Sequence, residues 1–291
     1  MIRYATNGDV QIAYEAFGDL EHGEPLLLVM GLDFQMVWWP DQLVARFVEA
    51  GYAVVRFDNR DTGLSTSFAP VAKPAPFKAL FGRVPPAYTT RDMLDDILAV
   101  LDAVGWESAH VLGGSMGAAL AQGLALENPE RVRSLTSCMG TAADAGVLQT
   151  LRAIRPGVFR TLHRIRPGGT DAEQIDALVA IYRAIASPGY PFPEEWAREA
   201  ARISHERHPR DASTTQRQLA AGRAHRVPPL ERITVPTLVI SGRDDPLIRW
   251  RAGRAVARRI PGARFVCYPG MGHAIPPELF DDVVAEVRTL A

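Results

Sequence analysis

Cysteine is nearly absent from this 291-residue chain, which has Cys138 and Cys267 and no others. Neither stands in a C-x-x-C or other metal-like spacing, which excludes a disulfide framework and a zinc-finger-type module. Both fall in apolar segments that read as strands, so reduced core residues are expected. Lysine is as scarce, with Lys73 and Lys78 alone, and arginine carries the basic charge. An excess of either sign is missing too: 32 Lys and Arg against 33 Asp and Glu leave a formal net charge of -1. Without a global field, neither nucleic acid nor an anionic membrane is the expected partner; a small molecule is. No apolar run approaches the roughly 20 residues that cross a bilayer, and no fixed-period repeat is present. The opening MIRYATNGDVQIAYEAFGD alternates like an edge strand and has neither the basic start nor the apolar stretch of a signal peptide. The expected location is the cytoplasm, and no oligomeric state is specified.

With 47% hydrophobic residues the chain can bury one large core, or one core carrying an insertion. Short apolar runs recur with amphipathic stretches between them: Pro25 to Met30, Tyr52 to Asp58, His110 to Gly113, Ser134 to Met139, Thr237 to Ser241 and Arg264 to Tyr268. Near-continuous apolar strands such as LLLVM and TLVIS suit a parallel sheet covered on both faces, so the expected class is α/β with a mostly parallel twisted sheet. Val10 to Phe17, leading through Gly18 to Glu24, suggests an antiparallel hairpin at the start of that sheet. The rhythm breaks between about Ala142 and Pro229, where three stretches have helical periodicity and no convincing strand. This predicts a core of residues 1–141 and 230–291 with a helical insertion over 142–229, punctuated by Pro156, Pro167, Gly168, Pro188 and Gly189. The proline-rich stretch Ser67 to Tyr88 reads as a surface loop.

The segment AHVLGGSMGAALAQGLAL holds a G-x-S-x-G pattern at Gly113 to Gly117, between an apolar strand and an alanine-rich helix. Strand, sharp turn, helix is the arrangement that exposes a nucleophilic serine, here Ser115, and the flanking Gly113 and Gly117 omit side chains where strand and helix cross. A serine hydroxyl is a poor nucleophile at neutral pH and needs a base, with a third group to orient that base; after such a strand-turn-helix serine the expected chain order is serine, acid, histidine. In VPTLVISGRDDPLI the acid is expected at Asp245, at the C-terminal edge of a buried strand, with Asp244 the alternative. In ARFVCYPGMGHAIPPEL the base is expected at His273, in the turn after the last strand. The other six histidines lie before the first long strand, inside a strand, or in the insertion. Oxyanion donors are expected from the amides of Met116 and of Leu32, since LLLVMGLDF puts Gly31 at a strand end.

Together GGSMG, GRDDPL, PGMGH and DNRDTGLS (Asp58 to Ser65) resemble the α/β-hydrolase superfamily over nearly the whole chain outside the insertion. Within it, LLLVMG, the Trp39-Pro40 pair, DNRDTGLST, VPTLVI and PGMGHAIP look like the aclacinomycin methylesterase group, bacterial enzymes that cleave a methyl ester from an aromatic polyketide. The resemblance implies a small-molecule carboxylic ester as substrate, Ser115, Asp245 and His273 as triad, no metal or cofactor, and the insertion as a helical cap. Met30-Gly31 replaces the His-Gly of many members, which removes a histidine side chain from the oxyanion strand. Serine at 115 argues against dehalogenase and epoxide hydrolase chemistry, which use aspartate there, and the absence of an HGGPG loop argues against iminopeptidase activity. Lactone hydrolysis, carbon-carbon bond hydrolysis, cofactor-free perhydrolysis and ligand sensing with a vestigial site remain alternatives. Met30, Gly31, Phe34, Trp39 and Tyr182 are candidate substrate contacts; Met36, Trp38, Phe159, Ile181 and Trp196 are related candidates, and all of these aromatics have core packing as the bland alternative. The arginines at 152, 155, 160, 164 and 166 read as a solvated helix face, and Asp58, Arg60 and Asp61 as braces for a loop behind the site.

Overall fold

The computed structural model describes residues 1–70, 74, 76–81 and 83–291, with Phe77, Leu80 and Phe159 described by backbone alone. Among the described residues the strands are β1 (Arg3–Asn7), β2 (Val10–Phe17), β3 (Glu24–Val29), β4 (Tyr52–Phe57), β5 (Ala109–Gly114), β6 (Val132–Cys138), β7 (Thr237–Gly242) and β8 (Arg264–Tyr268). The helices are α1 (Asp41–Glu49), α2 (Pro76–Leu80), α3 (Thr90–Ala103), α4 (Met116–Glu127), α5 (Val147–Ala153), α6 (Pro156–Arg164), α7 (Asp171–Ile185), α8 (Glu194–Arg207), α9 (Ala212–Ala224), α10 (Trp250–Arg259) and α11 (Phe280–Arg288). None of them is long and apolar enough to cross a membrane.

The eight strands form one sheet in the order β1-β2-β4-β3-β5-β6-β7-β8, parallel from β4 to β8. All six internal runs expected as strands are strands, to within two residues at either end. The hairpin is differently partnered from the expectation. β2 pairs antiparallel with β1 through the two-residue Gly8-Asp9 turn, and with β4 on its other side. Asn7-Gly8 supplies the positive φ that such a turn needs (Gly8 φ 58), whereas the Gly18 to Gly23 link carries the chain past β4 to reach β3.

Alternation explains the continuous apolar runs. Leu27, Val29, Val55, Phe57 and Val111 face Leu94, Leu124 and Val256 of α3, α4 and α10. Leu26, Leu28, Val54, Leu112 and Ile240 face Leu43, Phe47, Val283 and Val287 of α1 and α11. Both faces are therefore buried, as a parallel sheet requires. After β3 the chain goes to β4 on one side and later to β5 on the other. The loops leaving β3 and β5 thus meet at a topological switch point, where ligands collect in open α/β sheets.

Helices α5 to α9 lie between β6 and β7. Pro156 starts α6, and Thr170 caps α7 reciprocally with Glu173. The arginine face is as expected: Arg152, Arg155, Arg160, Arg164 and Arg166 are exposed. The stretch from Ser67 to Tyr88 contains α2, one helical turn in an otherwise irregular segment; within it Val71, Ala72, Lys73, Ala75 and Gly82 lie outside the described residues.

Buried ion pairs join this insertion to the loop after β4. The Arg217 guanidinium donates to both oxygens of Asp61, at 2.5 and 2.8 Å, and Arg207 reaches Asp58 at 3.2 Å. Asp58 also accepts from the amides of Met36 and Leu64, and Arg60 is paired with Asp96. Burial nonetheless pushes the Asp58 carboxyl above the usual carboxylate range, with Arg207 opposing it. Asp58, Arg60 and Asp61 thus brace the loop. Because removing one partner strands the other charge in the interior, Arg217→Met should cost about 3–5 kcal/mol in urea unfolding. Adding Asp61→Asn should recover part of that loss; strictly additive effects of the two changes would contradict the coupling.

Candidate active site

Ser115 sits between the end of β5 and the first residue of α4 with φ 56 and ψ -116. A non-glycine residue in such a conformation costs on the order of 1–3 kcal/mol, so its surroundings must impose it. Its amide donates to the Cys138 carbonyl of β6 at 2.9 Å. On the other side the backbone packing leaves no room for side chains. A Cβ on Gly113 would lie 2.1 Å from the Gly117 carbonyl oxygen, and one on Gly117 would lie 2.1 Å from that of Val29. β3, β5 and α4 therefore touch backbone to backbone, and the serine side chain projects from the tip of the turn.

His273 Nε2 lies 2.9 Å from Ser115 Oγ, and His273 Nδ1 lies 2.8 Å from Asp245 Oδ2. The other Asp245 oxygen accepts the amides of Leu247 and Ile248 at 2.7 and 2.8 Å, so the carboxylate is fixed from both sides. Asp245 is 1% exposed and His273 7%. Asp244, the alternative acid, is exposed and accepts the Gly270 amide instead. The neighbouring Cys138 thiol is pushed up by burial and, secondarily, by the Asp245 charge, which keeps it in the neutral thiol form.

Four of the other six histidines are engaged elsewhere. His110 contacts Ser134 inside the sheet, where burial lowers its pKa, and His22, His205 and His225 face Asp19, Asp171 and Glu127.

Gly31 lies directly against the serine, since a Cβ there would stand 3.1 Å from Ser115 Cβ. The Met30 carbonyl accepts from Asn59, and the edge of the Trp39 ring packs on Gly114. Among the described residues, neither the Leu32 nor the Met116 amide donates to a protein acceptor. The Met116 amide is the first of α4, which has no intrahelical partner and gains from the positive end of the helix dipole. The Leu32 amide follows Gly31, which packs on Ser115, and the Met116 amide follows Ser115 directly.

Phe34 and Tyr182 lie in an aromatic cluster. Tyr182 stands 4.7 Å from Trp38, 5.4 Å from Trp196 and 6.4 Å from Phe34, ring centre to ring centre. The cluster joins α7 and α8 to the turn after β3, and Met36 is wholly buried beside it. Tyr182 and Trp196 also line a cavity of about 330 Å³ with Pro40, Ile275 and Phe280; none of the Ser115, Asp245 and His273 trio lines it.

The insertion is hydrogen-bonded to three of the loops that carry candidate site residues, those after β3, β7 and β8. Arg155 N donates to Leu247 O and Arg249 N to Ala153 O, both at 2.8 Å, beside the acid. His273 N donates to Ile185 O at 2.8 Å, and Ser187 Oγ accepts from Gly272 N and donates to Ala274 O. Asp33, next to Leu32, receives Thr215 Oγ1 and Arg210 Nε on its carboxylate and gives its amide to Gln218 Oε1. Thr215, Gln218 and Asp33 escaped the sequence reading. The one signal for α9 was Asp211 at its start, which caps the helix by accepting the Ser213 amide.

Comparison with known proteins extends the resemblance noted from the motifs. The chain is 32% identical to rhodomycin D methylesterase DauP of Streptomyces sp. (strain C5), over 98% of this chain and 96% of that protein. It is 28% identical to the putative carbamate hydrolase RutD of Azorhizobium caulinodans, over 97% and 96% of the two chains. The fold superposes on a putative aryl esterase from Burkholderia cenocepacia with a TM-score of 0.71 at 21% identity, covering 100% and 99% of the two chains. The family model for the alpha/beta hydrolase fold matches residues 20–278, and the chain belongs to that family.

Proposed function

We propose that this protein is a serine hydrolase that cleaves a carboxylic ester of a small molecule through an acyl-enzyme. One observation carries the reading: the Ser115, His273 and Asp245 side chains form a continuous hydrogen-bonded chain, at 2.9 and 2.8 Å, at the tip of a strained strand-to-helix turn. His273 accepts the Ser115 proton as Oγ attacks the ester carbonyl. Asp245 holds the imidazole in the tautomer that leaves Nε2 free, and stabilises the imidazolium that forms. The Leu32 and Met116 amides receive the oxyanion. His273 then protonates the departing alkoxide, and in the second half activates the water that releases the acid.

The near-full-length similarity to a rhodomycin D methylesterase supports a methyl ester on a bulky, apolar, polyketide-like acid. In this reading Met30, Gly31, Phe34, Trp39 and Tyr182 contact the substrate. Gly31 and Trp39 are supported by their position against the elbow, and Phe34 and Tyr182 by their aromatic surfaces. Residues 142–229 act as a helical cap over a core of 1–141 and 230–291, a division supported by the unbroken sheet on either side of the insertion. Two free thiols, Cys138 and Cys267, fit a cytoplasmic location.

Ser115→Ala should lose hydrolysis of p-nitrophenyl and methyl esters by about 10⁶-fold and no longer react with a fluorophosphonate probe. Retained turnover by that variant would refute the mechanism. Asp245→Asn, which preserves shape and fixes the wrong tautomer, should lower kcat by about 10⁴-fold with the melting temperature little changed. Asp244→Asn should stay within a few fold of the parent, because among the described residues its carboxylate accepts the Gly270 amide and does not contact His273. Equal losses from the two asparagine variants would contradict the choice of acid.

A further inference from the structure

The turn that presents Leu32 has a conformation its own residues do not favour. Asp33 adopts φ 63, and within the turn itself the stabilising bond is a long one, Phe34 N to Gly31 O at 3.5 Å. What fixes it comes from α9 and from Arg210 just before it, about 180 residues later in the chain. Gln218 Oε1 accepts the Asp33 amide at 2.8 Å. Thr215 Oγ1 donates to Asp33 Oδ2 at 2.6 Å, and Arg210 Nε approaches the same oxygen at 2.7 Å. Gln218 is 2% exposed, and its Nε2 donates to the Arg60 carbonyl at 3.3 Å, so one side chain bridges the loops after β3 and β4. α9 is in turn anchored by the Arg217–Asp61 pair and by Thr214 Oγ1 on the Asp61 carbonyl.

These contacts bear on the peptide unit that carries the Leu32 N–H. That unit joins Gly31 to Leu32. On one side β3 fixes it, through the packing of Gly31 against Ser115. On the other, the Leu32–Asp33 peptide is fixed by Gln218 through its N–H, and the Asp33 side chain is fixed by Thr215 and Arg210. The plane between two fixed ends has one orientation available. Without the Gln218 acceptor, the half-buried Asp33 amide loses its protein partner and the turn is free to relax toward negative φ, rotating the adjacent planes.

We infer that Gln218 and Thr215 are positioning residues for the oxyanion hole, so that the insertion completes the catalytic centre and does more than cover it. This rests on the oxyanion role given to Leu32 above. Its signature is specific to the transition state: misaiming one amide weakens tetrahedral states while leaving ground-state binding nearly intact.

The test is the second-order rate of fluorophosphonate labelling, because phosphonylation of the serine places a phosphoryl oxygen where the oxyanion forms. Gln218→Met keeps the length of the side chain and removes its acceptor. It should label about tenfold or more slowly per folded molecule, with kcat for a p-nitrophenyl ester falling in parallel and KM within about threefold. Adding Asp33→Gly, which lets position 33 take a positive φ unaided, should restore part of the rate. Thr215→Val, which leaves Gln218 in place, should label about threefold more slowly and serves if Gln218→Met does not fold. Labelling of Gln218→Met within twofold of the parent, or a loss confined to KM, would overturn the inference while leaving the serine mechanism standing. A parent protein that is not labelled, or a Ser115→Ala variant that is, would sink both.

Discussion

The backbone contact of β3, β5 and α4 at the elbow is the constraint on which everything else in the site depends. Ser115 can hold a positive φ only because the chain on either side of it is locked, and it is locked because Gly113 and Gly117 let main chain meet main chain. The same approach places Gly31, at the end of β3 and just before Leu32, against the serine, while the start of α4 holds the Met116 amide. One packing event therefore sets the proposed nucleophile and the segments that carry both proposed oxyanion donors. The sheet order fixes where this happens, since β3 and β5 are neighbours although β4 lies between them in the chain.

A second consequence concerns the insertion. Its main chain or side chains bond to the loop after β7 at Leu247 and Arg249, to the loop after β8 at Gly272, His273 and Ala274, and to the turn after β3 at Asp33. Buried ion pairs, Arg207 with Asp58 and Arg217 with Asp61, secure it further, and the Tyr182–Trp38–Trp196 cluster adds an apolar seam. Ionic pairs in the interior rarely add much net stability, but each fixes one geometry, because leaving either partner alone is costly. The insertion is thus held in one register over the three loops. A cap that merely covers the site would not need these bonds, which tie residues 142–229 to the loops carrying the proposed site residues.

Much of this was legible in the sequence because the relevant signals are local. The parallel strands show as unbroken apolar runs since both sheet faces are covered. The elbow shows as glycine at 113 and 117 because only glycine permits the crossing. Asp245 and His273 show as polar residues at strand ends in the required order. The misses have physical reasons too. β1 is short and half exposed, so the sequence suggests a forward hairpin for Val10–Phe17, whereas the Asn7-Gly8 turn pairs it backward. α9 escaped because its buried face is polar: Thr214, Arg217 and Gln218 pack against carboxylates and carbonyls, and hydrophobic periodicity cannot register such a helix. Aromatic spacing at Phe34, Trp38 and Tyr182 could not distinguish a pocket wall from a packed seam. That distinction rests on which rings meet across elements far apart in the chain.

The central claim is that Ser115 carries the acyl group between two half-reactions. Its most direct test is intact-mass and peptide-mapping mass spectrometry of the protein quenched in acid during turnover of a slowly hydrolysed p-nitrophenyl ester. A mass increase equal to the acyl group, mapped to the peptide containing Ser115 and absent from Ser115→Ala, is the predicted result. Full turnover with no such adduct at any quench time, together with solvent ¹⁸O entering the product at the same rate in Ser115→Ala as in the parent, would contradict the account.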